Sequence, residues 1–459
     1  MQVTGEITDL AYGGAGVLPS ELGVVMVRRA FPGDRVRVRL VRRRKGVLEG
    51  EIETLLEPSP ERVAAPCPHL SVCGGCALQG LAPDAQTRYK AHQVTELLRR
   101  IGRVTPAATA PPWHSPTPWY YRNKMEFTFA PRAWLAADEL ARGLVPPPGV
   151  ALGLHPRGRF DAVFNLSDCR LQSPLSNRIV AAMRDLARER NLCAYRSRED
   201  RGLLRHLVVR QAATSDDLLV VLVARQEDPV LGELAAQLRA HVPEVTGVVA
   251  SINLRRATVA QGDYEIPLGG ASVWRERVAG FEFVIGASAF FQTQTAGAEA
   301  LVAEALARAE LNGTERVLDL YCGAGAFSLP FAAHARHVHG VEVLASAVAE
   351  ARANAARAGV SNVTFDCQPV ETKTPQPWEA SDWDLVLLDP PRSGLHPRAL
   401  EKLLARGVPR IVYVSCNPST LARDAGRLVD EGGYRARHLR VFDLFPQTPH
   451  VESVLLLAR

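Results

Sequence analysis

Three short segments hold the side chains of this chain best suited to covalent chemistry. In RIVYVSCNPST, Cys416 follows a run that alternates and branches like a buried β-strand, and a thiol at a strand end is placed for nucleophilic work. In LDLYCGAG, residues 318–325, a hydrophobic strand runs into a turn where Gly323 and Gly325 let the backbone approach a ligand. DPPRSGL, residues 389–395, follows the apolar run DLVLL, and its prolines stiffen the chain around Asp389 and Arg392. The combination points to a nucleophile beside a nucleotide-type cofactor.

A two-glycine turn is weak by itself, because many α/β turns look like it. Glu342 strengthens it: it lies nineteen residues beyond Gly323, at the end of the next strand-like run HVHGVEV, where a carboxylate can bind both hydroxyls of a ribose. A dinucleotide fold prefers G-x-G-x-x-G, whereas Phe327 and Ser328 follow here, which favours S-adenosylmethionine over NAD. A cysteine suits methylation of a pyrimidine C5. Addition of a thiolate at C6 moves electron density to C5, and the sulfur can leave again once a base has removed the C5 proton. Glu452 in HVESV, a lone carboxylate on an otherwise apolar strand, is the candidate base; taken alone it reads as a polar strand start.

Elements must position these groups. From about Phe281 onward, strand-like and helix-like runs alternate: RVLDLYC, ASAVAEARANAARAG, DLVLLDP, PRALEKLLARG, RIVYVSC, LARDAGRLVDEGG and VESVLLLA. Repeated βα units predict an α/β, doubly wound, mostly parallel sheet with ligands at the carboxyl ends of its strands. Upstream the pattern is mixed, with strands at HLVVRQAA and DLLVVLVA, a helix at PLSNRIVAAMRDLARER, and an insertion or loop over 131–149 ending in three prolines. The first 55 residues read as a small β unit. From Arg28 to Lys45 nine basic residues face one acid, Asp34, and in RVRVRL the alternation sends three arginines to one face, an expected phosphate-contacting surface.

At 459 residues, two or three domains are expected. The start MQVTGEITDL lacks signal-peptide character and no apolar run approaches the ~20 residues of a membrane helix, so a cytoplasmic, membrane-free protein is expected. Cys67, Cys73 and Cys76 stand as C-x5-C-x2-C, and Cys169 could supply a fourth thiol. Four thiolates suit zinc and iron–sulfur equally on spacing alone. Cys193, Cys322 and Cys367 lack such company and read as structural.

The assembly resembles a known family. FFQ at 290–292, DLYCGAG, DPPRSGL, VSCNPSTLARD and HVES occur in the order and spacing of the RNA 5-methyluridine methyltransferases, and YRNKMEFTF at 121–129 extends the likeness. GEITDLAYGGAGV followed by PGDRVRVRL resembles a TRAM domain, a small β-barrel of RNA-modifying enzymes. The resemblance implies a class I S-adenosylmethionine-dependent methyltransferase domain over 281–459. Before it would come a TRAM-like RNA-binding barrel over 1–56 and a central RNA-binding, iron–sulfur-containing domain over 57–280. It implies Cys416 as nucleophile, Glu452 as base, and Gln292, Tyr321, Glu342 and Asp389 as S-adenosylmethionine contacts. Arg392 would hold the target uracil, and Arg122 and Lys124 would contact the RNA. The cysteine spacing is similar to a 4Fe-4S site formed by Cys67, Cys73, Cys76 and Cys169, with zinc the lesser alternative.

The barrel and cluster together resemble the members that modify large-subunit ribosomal RNA, so 23S rRNA is the expected substrate, with no obligate protein partner. The chain departs from the family at Ala326 and Gln294, where asparagine is usual. Two rival functions compete with this one. An RNA cytosine-C5 methyltransferase usually carries a second cysteine in its fourth motif, absent from DPPR. A non-enzymatic ribosome assembly factor would have no use for Cys416 and Glu452.

Overall fold

The apolar runs of the C-terminal region become the centre of a nine-stranded sheet in the computed structural model, which describes residues 1–256 and 259–459. Its strand order is Val363–Cys367, His337–Glu342, Arg316–Leu320, Leu385–Leu388, Arg410–Ser415, Glu452–Ala458, Arg435–Asp443, then Ala108–Thr109, with Trp113–His114 also on Arg435–Asp443. The first five strands run parallel. Leu385–Leu388 is wholly buried, as expected of strands covered on both faces. Glu452–Ala458 is antiparallel to both its neighbours and closes the core with Leu455 and Leu457.

The helix Pro418–Gly432 starts where Asn417 accepts a hydrogen bond from the Ser419 N–H, has proline in its first turn, and stops at Gly433 with φ 69°. Its apolar stripe, including Leu421, Ala425 and Leu428, enters the sheet core. A partner that periodicity did not reveal packs on it: Val94 and Leu98, from the helix Pro83–Leu97 and the turn after it, join the same core. At the crossing, a Cβ on Gly102 would stand 2.4 Å from the Ala422 carbonyl oxygen, so only glycine fits.

These elements belong to one compact unit, made of Met1–Ala65, Cys76–Pro118 and Ala296–Arg459. That unit also holds the N-terminal six-stranded sheet, in the order Gln2–Glu6, Arg35–Arg44, Val47–Glu57, Val25–Arg28, Ala15–Leu18, Asp9–Leu10. Val36 and Val38 point into its core and the alternating arginines point out. The basic face is answered in part by acids of the next strand. Arg35, Arg39 and Arg42 pair across the ladder with Glu57, Glu51 and Glu49 at 3.1, 3.1 and 2.9 Å, while Arg37, Arg43 and Arg44 form no ion pair among the described residues. Asp34 is fully buried and held by Arg62. Leu10 and Phe31 pack on Leu78, Leu81 and Ala85, so this sheet is anchored to the chain that follows it.

The second unit comprises Pro66–Gly75 and Trp119–Thr295. Its seven-stranded sheet is centred on Lys124–Ala130, Leu204–Gln211 and Leu218–Ala224, antiparallel neighbours, with Gly247–Ile252 parallel to the last. The expected helix appears as Pro174–Glu189, capped by Ser173. Within 131–149 the chain forms one short helix, Ala137–Ala141. Phe281–Gly286, read as the start of the alternating region, instead pairs with Val273–Val278 in a ribbon of this unit. Among the described residues no helix is long and apolar enough to cross a membrane.

Candidate active site

Strand direction brings the candidate groups together. Arg316–Leu320, His337–Glu342, Leu385–Leu388 and Arg410–Ser415 are parallel, so Tyr321, Glu342, Asp389 and Cys416 all lie at one carboxyl edge. The last strand runs the other way and begins at that edge. Ser415 pairs with Ser453, so the next residue on each side sets Cys416 beside Glu452. An apolar strand with one carboxylate at its start thus delivers that carboxylate to the thiol.

The electrostatics of this corner are unusual. Burial, then the nearby Glu452 and Asp389, push the Cys416 thiol up to about 12, and Arg392 opposes them. Burial and then Asp389 raise Glu452 well above the usual carboxylate range; its Oε2 is buried and among the described residues accepts no hydrogen bond. Desolvation pushes Asp389 up to about 7, and among the described residues its side chain has no ion pair. Three acidic groups therefore crowd together with one guanidinium, and each holds its proton more tightly than it would in water.

Two loops are tied to each other here. The Asn417 side-chain amide donates to the Arg392 carbonyl at 2.8 Å, and Arg392 Nη2 donates to His450 Nδ1 at 3.3 Å. Asp424 accepts from the Leu395 N–H and the Tyr413 hydroxyl, both at 2.8 Å, pinning DPPRSGL to the helix after Cys416. Tyr12 donates to Asn417 Oδ1 at 3.5 Å. Asn417 and Asp424 stood inside VSCNPSTLARD without being singled out; the hydrophilic positions of that helix were the available signal.

At the glycine turn, Tyr321 has φ 67°, a left-handed conformation that costs a non-glycine residue about 1–3 kcal/mol. Gly323 follows at φ 53° and donates its N–H to Glu342 Oε2 at 3.2 Å. A Cβ on Gly323 would meet nothing within 4 Å, so open space lies beside the Glu342 carboxylate. Asp319, not anticipated, is buried below the turn, pushed up to about 7 by burial and donated to by Ser328. Open space flanked by acids fits a ligand carrying a ribose and a cationic sulfur.

Gln292, Arg122 and Lys124 belong to the second unit. The Gln292 carbonyl accepts from the Asn123 amide at 2.9 Å, the Arg122 N–H donates to the Leu171 carbonyl, and Lys124 pairs with Glu126 at 2.7 Å.

Cys67, Cys73 and Cys169 lie in the second unit and Cys76 opens a segment of the first. Among the described residues no group of three or more Cys, His, Asp or Glu is arranged to hold a metal ion. Burial pushes the Cys169 thiol up to about 11, and the neighbouring Cys73 and Cys67 add to the rise.

The nine-stranded sheet with an acid after its second parallel strand defines a class I S-adenosylmethionine-dependent methyltransferase fold, and residues 317–407 match the family model described as a methyltransferase domain. Residues 378–459, which contain Asp389, Cys416 and Glu452, match the model described as tRNA (Uracil-5-)-methyltransferase. An uncharacterized RNA methyltransferase of Halalkalibacterium halodurans is 35% identical over 98% of this chain and 95% of its own. Another, of Chlorobaculum tepidum, is 36% identical over 95% and 92%. The crystal structure of Pyrococcus abyssi tRNA (uracil-54, C5)-methyltransferase in complex with S-adenosyl-L-homocysteine superposes with TM-score 0.75 at 27% identity, covering 99% of this chain and 100% of that one. The chain belongs to the RNA uracil-5-methyltransferase family.

Proposed function

We propose that the protein transfers a methyl group from S-adenosylmethionine to C5 of a uridine in RNA through a covalent adduct between Cys416 and C6. The observation that carries this reading is the antiparallel register that sets Glu452 beside Cys416, with Asp389 and Arg392 acting on the same thiol. Tyr321, Glu342 and Asp389 would hold the cofactor, which supplies an electrophilic methyl on a sulfonium. Cys416 gives its proton to solvent and its thiolate adds to C6, leaving an enolate with its density at C5, which would take the methyl and leave S-adenosylhomocysteine behind. Arg392, the guanidinium that lowers the thiol's affinity for its proton, holds the uracil and favours that charge. Once C5 carries the methyl, Glu452 in its carboxylate form takes the C5 proton, the C6–sulfur bond breaks, and the thiolate is released.

The test uses 5-fluorouridine RNA, in which the C5 proton is replaced by fluorine that the base cannot remove. A stable protein–RNA adduct that requires S-adenosylmethionine and Cys416 is expected. Its absence with a reactive RNA would end the covalent reading.

The substrate is proposed to be 23S rRNA in the cytoplasm. Residues 1–56 would serve as a TRAM-like barrel, 57–280 as an RNA-binding centre and 281–459 as the catalytic part. The basic face of the N-terminal sheet supports an RNA partner. A second reading, transfer RNA, is favoured by the likeness to a tRNA enzyme over 99% of the chain, since the N-terminal regions are then no mark of a ribosomal substrate. Mapping 5-methyluridine in both RNAs, with and without this protein, decides between them.

Iron–sulfur ligation by Cys67, Cys73, Cys76 and Cys169 is a subsidiary proposal. It is supported by the sulfur donors and by the Gly75 N–H that donates to Cys73 Sγ at 3.4 Å. Iron and sulfide analysis of anaerobically purified protein checks it, and no step above passes through such a group.

A further inference from the structure

The second unit contains a pocket of about 490 Å³. Two adjacent strands build its floor in register: Lys124 faces Arg210, and Thr128 faces His206, with Glu126 between them. Period-two alternation turns Lys124, Glu126 and Thr128 to one side of the sheet, and His206 and Arg210 with them.

The hydrogen bonds at the far end fix a polarity. His155 Nδ1 reaches the Ala162 carbonyl at 2.8 Å, so in the neutral ring it carries the proton and Nε2 is an acceptor. Thr128 therefore donates its hydroxyl proton to His155 Nε2, at 3.2 Å, and accepts from His206 Nδ1 at 3.3 Å. His206 is left with Nε2 as a lone-pair acceptor for whatever enters. The residue is 8% exposed, and burial pushes its pKa down to about 4, which keeps that lone pair available at neutral pH.

The near end is cationic. Burial and then the neighbouring Arg210 make the Lys124 ammonium harder to keep charged, a repulsion that an incoming anion would relieve. Arg210 is buried with its Nε and Nη2 donating to the Ala287 and Ala289 carbonyls, and Lys124 pairs with Glu126 at 2.7 Å, so the described lining carries one net positive charge, which matches one phosphodiester. The volume lies in the range of small-ligand sites, about 300–1,000 Å³. Cations at one end and hydrogen-bond acceptors at the other, about 13 Å apart along the strands before the long side chains reach inward, match the phosphate and the base N–H groups of one nucleotide.

We infer that this pocket receives a single nucleotide of the RNA other than the target uridine, its phosphate against Lys124 and Arg210 and its base against His206 and Glu126. The inference rests on the RNA-methyltransferase reading for its ligand.

Full-length protein saturated with S-adenosylhomocysteine would be titrated with nucleoside 5′-monophosphates and with ribose 5-phosphate, followed by ligand-observed NMR. Nucleotides should bind at least fivefold tighter than ribose 5-phosphate. His206→Phe and Lys124→Met should each weaken nucleotides at least fivefold, and His206→Gln, which keeps an acceptor, should restore most of the loss. In a scan of the substrate RNA with single abasic sites, one position away from the target uridine should weaken wild type five- to tenfold and leave His206→Phe unaffected. Equal nucleotide binding by wild type and both variants would overturn the site. Nucleotide binding with no abasic position coupled to His206 would overturn the RNA assignment in favour of a free nucleotide. The 5-fluorouridine adduct, scored on the same wild-type protein, reports separately on the catalytic reading.

Discussion

The carboxyl edge of the large sheet and the N-terminal six-stranded sheet sit in one unit and treat charge in opposite ways. On the N-terminal sheet, Arg35, Arg39 and Arg42 each face a glutamate across the ladder, in water, where such pairs contribute about 0–1 kcal/mol. At the catalytic edge, Cys416, Glu452 and Asp389 are crowded in a desolvated corner, where Arg392 opposes the rise at the thiol. Where charge is already answered and solvated, the surface can be stable without a ligand. Where it is buried and unanswered, stability is given up for reactivity.

The sharpest way to break this contrast is at the thiol. Cys416→Ser should lower turnover by about 10⁴-fold or more and abolish the 5-fluorouridine adduct, measured by methyl incorporation and denaturing gels. Full turnover by that variant would remove the reason for the buried corner. Glu452→Gln should lower turnover about 10²- to 10⁴-fold and accumulate an adduct already methylated at C5, visible by mass spectrometry.

Stability should move the other way. Asp389 holds its proton up to about pH 7 in the fold but only to about pH 4 when unfolded. Its favourable contribution is thus present below pH 4 and is lost as the pH rises to 7. Asp389→Asn should stabilise the ligand-free protein at pH 7.5 by on the order of 2–4 kcal/mol in urea unfolding, with little gain at pH 4. An equal gain at both pH values would show that the carboxyl is not the strained group.

On the N-terminal sheet, replacing Arg37, Arg43 and Arg44 together by Ala should flatten the salt dependence of RNA binding by about 2–3 in log–log slope. The paired set Arg35, Arg39 and Arg42 should change it by less than about 1, since each already has a partner. Equal effects would mean that the glutamates release their arginines to RNA. Point variants suit this better than removing residues 1–55, because Leu10 and Phe31 pack on Leu78 and Leu81. The smallest effect is expected at Asn417→Ala, which loses a helix cap of about 1 kcal/mol and the tether to Arg392. About a tenfold fall in kcat, with S-adenosylmethionine affinity unchanged, would mark it as a positioning residue.

Much of the catalytic unit was readable because buried parallel strands need unbroken apolar runs, as in Leu385–Leu388, and because helices such as Pro418–Gly432 carry their own start and stop residues. The helix Pro83–Leu97 was not readable: its buried face includes Gln86, Lys90 and Gln93, whose polar ends are satisfied by distant groups such as Asp443. The paired arginines were misjudged because their glutamates stand on the next strand, and the ladder's register, shifted between Leu40 and Arg42, decides which side chains face each other.

Residue types and their order alone determined that this chain carries a thiol after a buried strand, a glycine turn followed by an acid, and a carboxylate at the start of its last strand, because backbone propensity and burial are local properties of the chain. Tertiary structure alone decided that Glu452 stands beside Cys416, that Asn417 ties Arg392 to the thiol's helix, and that three acidic groups share one desolvated corner. Those relations depend on strand direction and on what excludes water, and both are set by contacts between residues far apart in the chain.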